Sequence, residues 1–348
     1  MRNPMPYFAV AALGPVPLLA AGALWGGVWP VLALAWITAM AAVLDEAVAW
    51  VLPAGEAGAE FPRADLLSIA LACGHFAVLA LIVAALAGAW LVPWEKAVLF
   101  VGTGLFMGQV GNSNAHELIH RGRRGLRTLG TWVYVTMLFG HHASAHPLVH
   151  HVRVATPKDP NSARLGEGYY RFAWRAWRGS FREGLRAENQ RMARAGRAWW
   201  RHSYLIYLGG AAVTLGLAGL LGGAGGVVAL LALAGFAQSQ LLLSDYVQHY
   251  GLVRREGADG RTEPVAERHS WNAPHWFTSA MMLNAPRHSD HHAHPARPYP
   301  NLRLTEAAPR LPRSLPVMAC VALWPRLWRR VMDPRALRQR EVGPLAAE

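Results

Sequence analysis

Sixteen histidines occur in 348 residues, and nine of them fall into four short groups. His116 and His120 stand four apart in His-Glu-Leu-Ile-His, and His146, His150 and His151 follow. His249 lies in Gln-His-Tyr-Gly, and His288, His291 and His292 close the series in Arg-His-Ser-Asp-His-His. Residues four apart share a helix face, so two imidazoles at that spacing can reach one ion. A transition metal takes about four to six ligands, so nine imidazoles imply two metals. Neutral imidazole suits zinc, copper, iron and nickel, and spacing alone does not choose among them. The first group also has the His-Glu-x-x-His form of a zinc protease, with Glu117 as general base. That reading needs one further ligand and leaves the other clustered histidines without a role. Glu117, Asp245 and Asp290 are read instead as carboxylates that accept hydrogen bonds from ligand N–H groups and fix their tautomers.

The elements that must hold these groups are apolar. Hydrophobic residues make up 53% of the chain and charged ones 16%, bunched into runs of Leu, Ala, Val and Gly. A helix needs about 20 such residues to cross a bilayer. Six spans are predicted, at residues 7–25, 29–52, 66–90, 97–111, 204–221 and 227–247, the last two joined by a tight turn at Gly222–Gly226. The stretch 129–140 is too short to cross and is expected to re-enter or lie in the interface. Between Arg121 and Arg201 stand fifteen arginines and Lys158 against four carboxylates. By the positive-inside rule this segment is cytoplasmic, which puts both termini on the same side. All four histidine groups then meet on one face of one membrane, in residues 112–203 and 248–348. Interfacial or solvated histidines would account for any one pair, but not for that convergence. The net charge of +13 comes without a nucleic-acid motif and is assigned to topology.

Cys73 and Cys320 are the only cysteines, too few for a disulfide framework or an iron–sulfur site, so any electrons must come from another protein. The apolar N-terminus, interrupted by Pro15 and Pro17, reads as a first span and not a cleaved signal. Asp45 and Glu46 are ionisable groups in or near the second span, where such groups face a polar cavity or lie at the boundary.

These residues resemble the membrane-bound alkane 1-monooxygenase family, which is related to the fatty acid desaturases. The resemblance rests on His-Glu-Leu-Ile-His, on Val152–Arg164 after the paired histidines, on Asp245–Leu252, on His-Ser-Trp-Asn at His269–Asn272 and on Arg287–Ala293. It implies an all-α integral membrane protein, one domain over residues 1–348, with about six transmembrane helices. It also implies a non-haem diiron site held by the nine histidines, and terminal hydroxylation of an alkane or alkyl chain with O2. The implied electron source is rubredoxin with its NAD(P)H-dependent reductase. The departures are Ala145, Pro147 and Val149 in the second histidine group, Asp245 and Gln248 near His249, and Arg121 after the first group. A desaturase or a xylene-type hydroxylase carries related histidine groups and is the alternative; an intramembrane zinc protease or a metal transporter fits less of the pattern. Trp36, in a run of Ala, Val and Leu away from the interfacial positions usual for tryptophan, is the candidate to line a substrate channel and set chain length. Arg178, Arg182 and Arg186 are candidates for an electron-donor dock, since a basic surface steers an acidic partner.

Overall fold

The computed structural model describes residues 4–48, 50–55, 61–257 and 259–341. Among these, helices carry the architecture and no extended strand forms, only isolated bridges such as Val51 with His275. Four helices are long and apolar enough to cross a membrane: Met5–Trp25, Val28–Ala47, Arg63–Ala87 and Ser203–His249. Apolar side chains on them point outward, Leu220 being 85% exposed and Val213 58%. Such surfaces are at home in hydrocarbon, where a helix satisfies its own backbone.

The longest of these helices is not straight. Gly222 and Gly223 leave helical backbone angles, Gly223 with φ of +57°, the left-handed region that glycine enters freely. A Cβ at Gly226 would collide with the carbonyl of Ala218, eight residues earlier. A straight helix would hold those residues about 12 Å apart. The element is therefore a helical hairpin, and the expected glycine turn is its bend.

Other boundaries differ from expectation. The second helix stops at Ala47, short of residue 52, because the chain after it is claimed by the C-terminal half. Asp45 accepts the backbone N–H groups of Phe277 and Thr278 at 2.9 and 3.1 Å, together with the Thr278 hydroxyl, and so caps the short helix Trp276–Met281. Glu46 is bound by Arg313 at 2.8 Å. The expected span at 97–111 lies inside a longer helical run: Pro93–Leu105, a π turn at Phe106–Gly111, then Asn112–Ile119 carrying His116. Residues 129–140 begin within the amphipathic helix Arg124–Thr136, which packs on the His116 helix where Gly130 lets the backbones close up against Leu118 and Ala115.

Candidate metal centre

Each histidine group is placed by a different local device. His116 and His120 lie one turn apart at the end of their helix, and their rings come within 5.1 Å. The second group sits on a π turn, His146–His150, closed by the His151 N–H donating to the His146 carbonyl. A π turn aligns residues five apart, where an α-helix would align His146 with His150. His146 and His151 consequently meet, Nε2 to Nε2, at 2.9 Å, and His150 is freed to face elsewhere. Pro147, one of the departures from the family pattern, lies in this turn and has no N–H to bond back to the preceding turn, which favours the wider winding. The helix His288–Ala293 sends His291 one way and His288 and His292 another.

The nine imidazoles resolve into two sets. His116, His120, His146, His151 and His291 form one, and His150, His249, His288 and His292 the other; in each, one nitrogen per residue lies within 4.8 Å of all the rest. In the first, Nε2 of His146 is 2.7 Å from Nε2 of His116, and Nε2 of His151 is 3.1 Å from Nε2 of His291. In the second, Nε2 of His288 lies 3.0 Å from that of His249 and 3.1 Å from that of His292. Hydrogen bonding alone cannot satisfy this. A ring nitrogen carries either one proton or one lone pair, yet His146, His151 and His288 each face two others through a single nitrogen. His120 Nε2 and His150 Nε2 are buried with no partner among the described residues. Neighbouring ligands of an octahedral ion with bonds of about 2.1 Å are about 3.0 Å apart, against about 3.4 Å for a tetrahedral one. The closest separations, 2.7 to 3.1 Å, are those of donors placed to share one ion, and the five donors of the first set exceed the four of a structural zinc site. Both sets fit a transition metal that imidazole suits, iron among them, and the first exceeds tetrahedral coordination.

Charge agrees with geometry. Burial, reinforced by neighbouring imidazoles, holds His146, His151, His291 and His292 well below the ordinary imidazole value. They are neutral at pH 7, as ligation requires. His150 is the exception: burial lowers it, but the charge and hydrogen bond of Asp159 outweigh burial and raise it. Asp159 Oδ2 accepts the Nδ1–H of His150 at 2.8 Å, and in the neutral ring that ligation requires this leaves Nε2 as the lone pair facing the second set.

The surrounding carboxylates fall differently from expectation. Glu117, one residue past His116, is turned about 100° around the helix. It pairs with Arg121 at 3.0 Å and accepts the Tyr299 N–H at 3.2 Å, a buried strut and not a base facing the histidines. Asp290 holds His294 at 3.0 Å, and Arg297. Asp245 accepts Asn161 Nδ2 at 2.7 Å, and Asn161 in turn donates its N–H to Asp159, so Asp245 reaches His150 through the loop. Asp159 is an imidazole partner that spacing does not reveal; its signal in the sequence is an Asp followed by Pro-Asn-Ser, a turn that closes on its own side chain. Asn272 is a second residue whose role spacing does not reveal. Its side chain bonds Ser289 at 2.6 Å and Pro309 at 2.9 Å, and accepts the Ser289 N–H at 2.9 Å, fixing the helix of His288. His142 lies 5.0 Å from His146 ring to ring but outside both sets, and His75 bonds the Thr136 hydroxyl at 3.0 Å.

Comparison with known proteins agrees with this geometry. The fatty acid desaturase family profile matches residues 88–322, which contain all nine histidines. Alkane 1-monooxygenase 2 of Pseudomonas aeruginosa is 31% identical over 94% of this chain and 89% of its own length. The chain belongs to this family of membrane enzymes. Alkane 1-monooxygenase 1 of the same organism is 37% identical over 68% of this chain, and the match spans 62% of that relative, less than two thirds of it. The hydroxylase component of xylene/toluene monooxygenase from Pseudomonas putida is 29% identical over 62% of this chain and 57% of its own. Family membership and the apolar helices together make the chain an integral membrane protein.

The Asp159 contact yields a test. Asp159→Ala removes the acceptor that orients His150, and such losses weaken metal binding about 10- to 100-fold. Metal analysis after dialysis should show selective loss from the four-histidine set, with the five-histidine set retained. Unchanged metal content across a chelator titration would exclude the role.

Proposed function

We propose that this protein is a non-haem diiron monooxygenase that hydroxylates the terminal C–H of an alkane or alkyl chain, using O2 and electrons from rubredoxin and its reductase. The observation that carries the reading is the convergence of nine buried imidazoles into sets of five and four beside apolar helices, in a chain whose relatives are alkane 1-monooxygenases. Counting the helical run that carries His116 and the two arms of the bent helix, the chain crosses the membrane six times. The basic segment Arg121–Arg201 then sets both termini and the histidine sets on the cytoplasmic side.

In this arrangement the nine histidines would hold two irons, which supply the O2-derived oxidant that an unactivated C–H bond requires. The protein's part is position and exclusion of water. Asp159 orients His150, and Asn272 with Ser289 fixes the helix of His288, His291 and His292. The apolar helices admit a substrate that dissolves in the bilayer, while the histidine face stays within reach of a soluble donor. The xylene/toluene relative supports xylene-type hydroxylation as the second substrate reading.

The deciding experiment supplies purified protein with rubredoxin, reductase, NAD(P)H and a mixture of alkanes, fatty acyl lipid and xylene. Expected are about two irons per chain and a terminal alcohol; Ala at His116, His150 or His291 lowers iron content and abolishes turnover while membrane insertion persists. An active preparation holding zinc alone, or an unsaturated acyl product without alcohol, would overturn the reading.

Trp36 remains the proposed channel stop. Its ring is half-buried, packed over Gly14, 6.3 Å from the Phe277 ring, and held by a bond to the Ala11 carbonyl at 3.1 Å. A side chain fixed at three points can end a linear substrate. Trp36→Ser should shift preference toward longer chains, each further buried methylene contributing about 0.8 kcal/mol. An unmoved chain-length profile at normal iron content would remove it from the channel. Arg178, Arg182 and Arg186 are exposed at four-residue spacing on the helix Tyr169–Arg194, which supports a dock for an acidic donor, although Arg186 already shares Glu183 at 2.5 Å. Reversing the three charges should raise the apparent KM for rubredoxin and flatten its salt dependence; an unchanged salt profile at equal expression would leave them a topological role only.

A further inference from the structure

A pocket that contains none of the nine histidines opens between the helix Tyr169–Arg194, the turn after Thr136 and the first turns of Ser203–His249, with a volume of about 350 Å³. Small-molecule sites run from about 300 to 1,000 Å³. Leu138, Leu208 and Ala211 give it an apolar side, and Leu208 stands 57% exposed on a helix apolar enough to cross the membrane. Phe181 and Tyr207 wall it. Arg178 and Arg182, one helical turn apart and both exposed, form its charged side.

No carboxylate among the described residues neutralises their charges. On the same helix Arg175 is bound to Glu167 at 2.7 Å, Arg186 to Glu183 at 2.5 Å and Arg191 to Glu188 at 2.8 Å. Among the described residues neither Arg178 nor Arg182 enters an ion pair; Arg178 lies over the Trp174 ring at 5.2 Å. Trp174 and Trp177 stack at 5.9 Å, exposed beside the pocket, as tryptophans at a membrane–water interface do. A ligand that complements two free guanidiniums on one side and bare Leu and Ala on the other has an anionic head and a hydrocarbon tail. Guanidinium is suited to phosphate, which it grips through paired N–H groups.

We propose that this pocket binds an anionic glycerophospholipid, its phosphate at Arg178 and Arg182 and its first methylenes against Leu208 and Ala211. The site has a structural consequence. The helix Tyr169–Arg194 packs on His142–Ala145 and on the π turn of His146 and His150, with Gly184 against Ala145. A lipid that bridges this helix to Ser203–His249 braces the scaffold behind those two histidines.

The test uses metal-loaded protein in phosphatidylcholine nanodiscs with and without phosphatidylglycerol, read by native mass spectrometry and apparent melting temperature. No electron donor is present, so lipid retention reads separately from docking on the same helix. Phosphatidylglycerol should stay with the protein and raise its melting temperature. In R178Q/R182Q retention should fall roughly thirtyfold, the loss expected of two surface cations, and the thermal shift should vanish. R171Q, which removes another exposed arginine of that helix outside the pocket, should keep both. The proposal is overturned if R178Q/R182Q retains phosphatidylglycerol like the parent, if R171Q loses as much, if inorganic phosphate with phosphatidylcholine alone gives the same shift, or if a second copy of the chain fills the pocket, seen as a dimer mass that R178Q/R182Q abolishes.

Discussion

Buried imidazole nitrogens that face one another at 2.7 to 3.1 Å are short of protons and lone pairs, and a buried polar group left unpaired costs about 1–3 kcal/mol. Seven such rings, with His120 Nε2 and His150 Nε2 buried and unpartnered among the described residues, could not be buried together unless something shared offset that cost. The arrangement therefore presupposes cations, and much of the surrounding structure serves to hold the rings ready for them. Burial makes most of the rings neutral, and neutrality makes them ligands. His150 alone is given a carboxylate, Asp159, so its basicity is set against the burial that depresses the others.

Holding the rings falls to two kinds of element. Apolar helices end at the site and deliver His116, His120 and His249 from regular backbone. The remaining six come from the π-turn segment at residues 146–151 and the short helix His288–Ala293, which need their own polar frame. Arg287 is buried beside His288, with its guanidinium on the carbonyls of Leu302 and Leu52. Asp45 caps the helix Trp276–Met281, and Asn272 ties Ser289 to Pro309. Through these contacts the last ligand segment is fastened to the first helical hairpin, hundreds of residues away in the chain. A charge buried with such partners is costly to disturb, which keeps the rings from drifting.

The π turn at His146–His150 shows how one backbone irregularity does chemical sorting. In His-Pro-Leu-Val-His-His, α-helical winding would put His146 and His150 on one face. The wider winding pairs His146 with His151 instead and hands His150 to the other set. The second group thereby contributes to both sets, as does His288–Ala293, and these two segments couple the clusters.

The sequence by itself determined the ligand candidates, the membrane character and the glycine bend, because each is a local property: residue type at helical spacing, runs of apolar residues, and a backbone only glycine adopts. It also pointed to the helices that carry His116 and His249. It could not assign nine histidines to two sets, since that depends on which rings meet across 30 to 175 residues of chain, as His146 and His291 do with His116. Nor could it say which carboxylate serves which imidazole. Glu117 and Asp290 adjoin ligands in sequence yet turn to arginines, whereas Asp159 reaches His150 because a turn folds it back. Neighbourhood along the chain fixes the direction in which a side chain leaves the backbone; only the packing of helix against loop decides what it finds there.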